Sequence, residues 1–173
     1  MCPASVGLLR SFGMVEVRLM ALDRYVTRRL RFCAAHRVLG HEKGCQSLHG
    51  HNFELFVGCS SRDLDSVGRV IDFKALKTLY QEWVDQYLDH ASILCTTDPL
   101  CCLLDTVPDQ KLYRVDFNPT VENLITHLYV KFEGMLFHYN KQEKCNVVLE
   151  YLDLHETENC SIRLCQGRFL YEE

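Results

Sequence analysis

The chain has 173 residues, which predicts one domain, and it is 47% hydrophobic and 24% charged, which excludes disorder or a fibrous structure for the chain as a whole. Its net charge of −4 argues against a protein that coats nucleic acid or an anionic membrane. No apolar run approaches the roughly 20 residues that a bilayer span requires. We therefore expect a globular domain whose partners include neither nucleic acid nor a membrane.

Ten cysteines are the unusual feature of the composition. The N-terminal stretch lacks a sustained apolar segment of the kind found in secretory signals, so we expect a cytoplasmic protein. In a reducing compartment most of these thiols would be buried small hydrophobic groups and not disulfides. The sequence holds no Cys-x-x-Cys pair, which excludes a cysteine-rich zinc finger and a thioredoxin-like motif.

The first part of the chain is predicted to form two β-strands. Residues 1–24 show no periodic pattern, and we interpret them as an N-terminal extension ahead of one catalytic domain over residues 25–173. In the segment Tyr25–His36, one parity carries Leu30, Phe32, Ala34 and His36, and in His49–Ser60 one parity is apolar or histidine up to Cys59, which is the period of a half-buried strand. Antiparallel pairing of the two strands would bring their adjoining ends together.

The middle of the chain is predicted to form two helices with a long loop between them. Asp72 is a suitable N-cap for an amphipathic helix that continues to Tyr87. Residues 91–117 look irregular and include two prolines, which predicts a loop. Asn118 and Pro119 then predict the N-cap and the first position of a second helix.

The last part of the chain is predicted to form two further strands over residues 146–155 and 160–167, joined by a turn at Glu158 and Asn159. The predicted order of elements is therefore β-β-α-α-β-β. This order indicates an α+β fold.

Three histidines form the strongest candidate for a metal site. His49 and His51 are two apart on one strand, so their side chains point the same way with Cα atoms about 6.5–7 Å apart. His36 ends the preceding strand on the apolar parity, where antiparallel pairing could place it beside them. Three histidine ligands with an open fourth position are typical of catalytic zinc. Three strand histidines satisfied by hydrogen bonds are the alternative that the residues alone leave open.

Cys45 precedes His49 by four residues, in a loop that contains glycines. A bound cation nearby would favour its thiolate, which is the form that acts as a base or nucleophile. Two alternatives stay open for Cys45: another buried cysteine, or a fourth ligand that closes a structural zinc site.

Two further positions have the residue types of a catalytic site. Asp89 and His90 follow the first predicted helix and could form a general acid/base held by a carboxylate. Glu156 ends the third predicted strand on the inward parity, where an unpaired carboxylate is costly. Such a carboxylate suits a ligand that offers paired N–H donors, as a pterin or guanine ring does.

Six short segments occur in the order of a known family: FCAAHRV (32–38), CQSLHGHNF (45–53), GRVIDFKALK (68–77), LDH (88–90), NPTVENL (118–124) and HET (155–157). In these segments the chain resembles the 6-pyruvoyl-tetrahydropterin synthase and 6-carboxy-tetrahydropterin synthase family. The resemblance implies the tunnelling fold (T-fold), a four-stranded antiparallel sheet with two helices on one face. It also implies a homohexamer, built as a dimer of trimers.

The resemblance implies Zn²⁺ as the cofactor and assigns the candidate site residues to three groups. These are zinc ligands (His36, His49 and His51), catalytic residues (Cys45, Asp89, His90 and Glu156) and pterin-binding residues (Glu156, Thr120 and Glu122).

The activity that the resemblance implies is that of a zinc-dependent lyase acting on 7,8-dihydroneopterin triphosphate. The carboxy branch releases acetaldehyde and triphosphate for queuosine and 7-deazaguanine synthesis, whereas the pyruvoyl branch eliminates only triphosphate, for tetrahydrobiopterin. The three-residue gap between Cys45 and His49 favours the carboxy branch. Cys33, where the family often has Ser, and the segment 91–117 depart from the family pattern.

Two other functions are compatible with parts of the sequence. A non-catalytic, zinc-stabilised pterin-binding oligomer would use Cys45 as a fourth zinc ligand. A GTP cyclohydrolase of the same fold would need cysteine ligands that the three-histidine set does not supply.

Overall fold

The computed structural model describes residues 24–166. The predicted N-terminal extension, apart from its last residue, and the end of the last predicted strand at Gly167 lie outside these residues. The strands are β1 (Tyr25–His36), β2 (His49–Ser60), β3 (Ala91–Cys95), β4 (Leu112–Val115), β5 (Val148–Thr157) and β6 (Cys160–Cys165). The helices are α1 (Phe73–Leu76), α2 (Glu82–Tyr87), α3 (Pro99–Asp105) and α4 (Val121–Glu143).

All six strands form one sheet in the order β4-β3-β1-β2-β5-β6. Within the run β1-β2-β5-β6 every pairing is antiparallel, as the resemblance implies. The two added strands are parallel: β3 pairs with β1, and β4 pairs with β3. Within the described residues the sheet therefore has two edges, at β4 and β6.

One face of the sheet forms the core with the helices. Alternate residues of β1 and β2, such as Leu30, Phe32, Phe53 and Leu55, are buried, as the period-two pattern predicts. Their neighbours on the other parity are more exposed, and Arg29 forms an ion pair with Glu54 there. The sheet therefore has a helix-covered apolar face and a polar face that the described helices leave uncovered.

The first predicted helix is confirmed, with an irregularity in its middle. The Asp72 side chain accepts a hydrogen bond from the Lys74 backbone N–H at 2.7 Å, as expected for an N-cap. A π-helical turn, Lys77–Gln81, joins α1 to α2 without a break. Its Tyr80 ring stacks on Phe132 of α4 at 4.4 Å between centroids, which packs the two helical segments together.

The prediction of a loop over residues 91–117 is wrong, and with it the expectation of four strands. The segment forms β3, α3 and β4. Strand β3 is buried at four of its five positions, so it shows no alternation for a period-two search to detect. Pro99 begins α3 instead of breaking structure, and Asp98 caps that helix by accepting from the Leu100 N–H at 2.8 Å.

The predicted start of the second long helix is also corrected. The N-cap of α4 is Thr120, which accepts a hydrogen bond from the Asn123 backbone N–H at 3.3 Å, and the helix begins at Val121. Asn118 and Pro119 precede the cap. The Asn118 side chain hydrogen-bonds to the backbone of Leu39, and the Pro119 carbonyl oxygen accepts from His36.

Candidate metal centre and active site

The pairing of β1 with β2 brings the three candidate ligands together at one end of the hairpin. His36 lies opposite His49 in the register, and His51 is two residues further along the same face. One ligand atom from each histidine lies within 4.8 Å of the other two. The ring centroids of His36 and His49 are 4.6 Å apart. The three imidazoles can therefore converge on one metal ion.

Hydrogen bonds from the far side of two rings orient them toward this common point. His36 Nδ1 donates to the carbonyl oxygen of Pro119 at 2.8 Å, and His49 Nδ1 donates to that of Ser47 at 2.8 Å. Each ring then presents its Nε2 lone pair, as metal-binding histidines do. Burial lowers the pKa of His36 below its ordinary value, which favours the neutral, ligating form.

The three-histidine cluster fits a metal ion because ring nitrogens of two of its histidines have no hydrogen-bond partner. Nε2 of His36 and Nε2 of His51 are both buried without a hydrogen bond. The carboxylate of Glu156 approaches them at 3.3 Å and 3.8 Å, and at His36, whose Nδ1 carries the ring proton, one acceptor atom therefore faces another. Buried acceptors in such an arrangement are costly unless a cation neutralises them. Three imidazoles with a carboxylate beside them are chemistry that zinc accepts.

Cys45 stands apart from this cluster of ligand atoms. It lies in a short 3₁₀ turn, Gly44–Gln46, and is half-buried. The three-histidine group is the one candidate metal cluster among residues 24–166, and the Cys45 sulfur does not belong to it. This arrangement favours an open fourth position over a closed structural site.

Asp89 and His90 form a hydrogen-bonded pair between α2 and β3. His90 Nδ1 donates to Asp89 at 2.8 Å, and the other carboxylate oxygen of Asp89 accepts from the Cys33 N–H at 2.8 Å. His90 has a φ of +60°, a left-handed conformation that is strained for a histidine and is found at functional sites. Lys111 Nζ donates to the Asp89 carbonyl oxygen at 2.7 Å, which fixes this turn.

Charge and exposure distinguish this pair from the metal cluster. Burial acts to raise the pKa of Asp89, but the hydrogen bonds from Cys33 and His90 and the charge of Lys111 together hold it below its ordinary value. The His90 side chain is 79% exposed. The pair is therefore an ionised carboxylate that holds an imidazole whose Nε2 is open to solvent.

Two cavities border His51. One, of about 380 Å³, is lined by Cys33, Asn52 and His90 among others. The second, of about 680 Å³, is lined by Glu156 among others. Gly50, His51 and Asn52 line both. Two of the predicted catalytic residues, His90 and Glu156, thus line separate cavities, each of which borders His51 of the metal cluster.

Thr120 and Glu122, which the resemblance places near the pterin, stand at the start of α4, directly after Pro119. The Thr120 hydroxyl caps α4, and Glu122 is exposed in the first turn, where a carboxylate stabilises the helix. Neither residue lines either of the two cavities described above. The contact that sequence analysis missed in this motif is the carbonyl of Pro119 on His36, because a backbone acceptor leaves no signal in a sequence.

Comparisons with known proteins indicate the family of this chain. Residues 25–166 match the family described as 6-pyruvoyl tetrahydropterin synthase. The 6-carboxy-5,6,7,8-tetrahydropterin synthase of Rickettsia felis is 36% identical over 139 residues, which cover 80% of this chain and 97% of that protein. The enzyme of that name from Haemophilus influenzae is 31% identical over 112 residues, covering 60% of this chain and 78% of that protein.

Solved structures show the same fold at low sequence identity. An uncharacterised protein from Wolinella succinogenes has a TM-score of 0.70 at 22% identity, with 85% of this chain and all of that chain covered. The 6-pyruvoyl tetrahydropterin synthase of Caenorhabditis elegans has a TM-score of 0.58 at 20% identity, with 84% and 96% covered. These likenesses fit the tunnelling fold, here with a six-stranded sheet. From the family match and its 36% identical relatives, we conclude that the chain belongs to the 6-pyruvoyl tetrahydropterin synthase family, and those relatives bear the name of the carboxy branch.

Proposed function

We propose that this protein is a zinc-dependent 6-carboxy-5,6,7,8-tetrahydropterin synthase. It would convert 7,8-dihydroneopterin triphosphate and water to 6-carboxytetrahydropterin, acetaldehyde and triphosphate, a lyase step toward queuosine. The observation that carries the proposal is the three-histidine cluster, in which two Nε2 atoms are buried without a hydrogen bond, in a chain whose relatives bear that name.

The ligands His36, His49 and His51 would hold the zinc ion. When bound, zinc supplies a Lewis acid that acidifies C–H bonds next to hydroxyl groups coordinated to it. Two of the imidazoles keep their orientation through the Nδ1 hydrogen bonds of His36 and His49.

The remaining residues would bind the pterin and move protons. Glu156 lines the larger cavity, where its carboxylate can accept two N–H groups of the pterin ring. The Cys45 thiolate would remove a carbon-bound proton from the substrate side chain. Asp89 accepts the Nδ1 proton of His90, so the free Nε2 of that ring is the atom that would exchange a proton on the other side. Loss of triphosphate follows removal of the carbon-bound proton.

We also propose a cytoplasmic homohexamer made of two trimers. Open sheet edges are usually paired or covered, and β4 and β6 are the edges of this sheet among the described strands. Copies of the chain could close these edges in a ring. No described helix has the length and apolar character to cross a bilayer.

One incubation tests the proposed function. Purified, zinc-loaded protein is mixed with dihydroneopterin triphosphate, and triphosphate and acetaldehyde are both assayed. Release of both supports the carboxy branch. Triphosphate without acetaldehyde would move the protein to the pyruvoyl branch, and release of neither would refute synthase activity.

Cysteine variants provide the matched control. We expect Cys45→Ala to keep zinc and bind pterin but to be nearly inactive, because the proposed base is gone. Cys102→Ala removes an exposed thiol of α3 and should keep full activity. If Cys45→Ala instead lost its zinc, a closed structural site with Cys45 as fourth ligand would replace the catalytic one.

A further inference from the structure

Two asparagines near the ends of α4 make the same unusual contact. Asn118 accepts from the backbone N–H of Leu39 and donates to its carbonyl oxygen, both at 2.8 Å. Asn140 accepts from the backbone N–H of Val147 at 3.1 Å and donates to its carbonyl oxygen at 2.7 Å. A side-chain amide offers one acceptor and two donors, so each asparagine imitates the two-bond pairing of a strand neighbour.

The contact of Asn118 is made to the segment that carries Cys45. Residues 37–48 connect β1 to β2, and Leu39 lies near the start of this connection. The neighbouring Val38 donates its N–H to the Cys45 carbonyl oxygen at 2.8 Å. The amide of Asn118 is therefore linked to the turn of Cys45 through one short stretch of backbone.

The same end of α4 also holds a candidate zinc ligand. The residue after Asn118 is Pro119, whose carbonyl oxygen accepts from His36 Nδ1 at 2.8 Å. Asn118 is held in turn, because Asn123 of α4 donates to its carbonyl oxygen at 2.9 Å. Helix α4 is itself held in place, because its Leu128 and Phe132 are buried in the core. Two consecutive residues thus fix both the thiol segment and one imidazole to a single helix.

We propose that Asn118 is a positioning residue that sets where the Cys45 thiol stands relative to the metal centre. It does so by clamping Leu39 to the start of α4 without touching the substrate. The catalytic consequence rests on the proposed function, whereas the clamp itself does not. A displacement of about 1 Å in a catalytic group can lower a rate by about 10²-fold.

The decisive comparison is Asn118→Asp against Asn140→Asp. Each substitution keeps the shape and the acceptor but replaces the donating NH₂ with an oxygen that faces a backbone carbonyl. Chemically the two changes are alike, and both should lower the melting temperature. We expect kcat to fall by about 10- to 100-fold in Asn118→Asp alone, with KM and zinc content close to those of the unmodified protein.

The reactivity of Cys45 gives a readout that does not depend on turnover. Trypsin releases residues 44–62 as one peptide, which contains both Cys45 and Cys59. Cys59 is fully buried, and burial raises the pKa of its thiol to about 12, so it serves as an internal reference that iodoacetamide barely modifies. We expect alkylation of Cys45 to become severalfold faster in Asn118→Asp, because the released loop exposes the half-buried thiol. The rate in Asn140→Asp should be unchanged.

The outcomes separate the clamp from the proposed function. If no form of the protein acts on dihydroneopterin triphosphate, the synthase proposal fails, while the alkylation rates still decide the clamp. Unchanged Cys45 alkylation in Asn118→Asp, or equal acceleration in both variants, would overturn the positioning role. Should Asn118→Asp not fold, Asn118→Ser removes the same donor without adding charge and is judged by the same rates.

Discussion

The two histidine-containing parts of the candidate active site differ in how complete they are within one chain. In the metal cluster, His36 is 1% exposed and all three rings come from the β1–β2 hairpin. In the Asp89–His90 pair, the imidazole is 79% exposed, and Asp89 is its ring's hydrogen-bond partner among the described residues. The metal cluster is therefore complete once a single chain has folded. The Asp89–His90 pair holds the proposed acid–base group in a strained conformation, and no described residue of the same chain encloses it, so we infer that assembly completes it.

The largest expected effect is at the metal cluster, whose three ligands all come from one chain. His49→Ala removes one of three protein ligands, and the remaining two imidazoles should hold zinc poorly. We expect the purified variant to lose both its zinc and its activity, as measured by metal analysis and the triphosphate assay. His138→Ala, at an exposed histidine of α4, is the control and should retain both. One zinc per chain with full turnover in His49→Ala would remove the zinc hypothesis.

The same contrast explains which parts of the fold could be predicted. Strands β1 and β2 have one face in the core and one exposed, so alternation specifies both of them and their shared register brings His36 to His49. Strand β3 is buried almost throughout and pairs in parallel with β1, a partner more than fifty residues away in the chain. Neither property leaves a periodic signal in the sequence.

The site could be predicted only as far as its side-chain chemistry. His49 and His51 on one strand, with His36 at the end of the strand before it, predict a candidate metal site from residue type and spacing. The orienting contact of Pro119 and the clamp of Asn118 act on groups about eighty residues away, through backbone atoms that every residue possesses. Such contacts depend on how α4 packs against the hairpin, which local patterns do not encode.

A second prediction tests whether a neighbouring subunit completes the exposed Asp89–His90 pair. Cys45→Ala and His90→Ala should each be nearly inactive while retaining zinc, since general acid–base groups contribute about 10²–10⁴-fold. If His90 serves the Cys45 of the next copy in a closed ring, co-assembled variants regain some sites with both residues intact. In an equal mixture about a quarter of the sites qualify.

The measurement is the activity of subunits that have been dissociated, mixed and reassembled, with each variant reassembled alone as the control. Recovery toward a quarter of the normal activity supports a shared site. A mixture that stays as inactive as its components, or an active monomer in light scattering, would contradict the shared site and make each chain self-sufficient.

The smallest expected effect concerns the acid stability that Asp89 contributes. Its pKa is lowered in the folded protein relative to the ordinary value of about 3.9, so folding favours the ionised form. The stabilisation is therefore fully present above the unfolded pKa and is lost as the pH falls through the lower folded pKa. Asp89→Asn still accepts from the Cys33 N–H but has no charge to lose. The variant should be less stable than the parent protein at pH 7, and this difference in stability should disappear in acid.

Urea unfolding of both proteins at neutral and acidic pH measures the difference, with chelator present so that zinc release plays no part. Asp63→Asn, at an exposed aspartate, is the control for replacing a carboxylate by an amide. If Asp89→Asn is less stable than the parent protein by the same amount at both pH values, the carboxylate holds Cys33 and His90 by its shape alone. The pair would then not be an ionised acid–base unit.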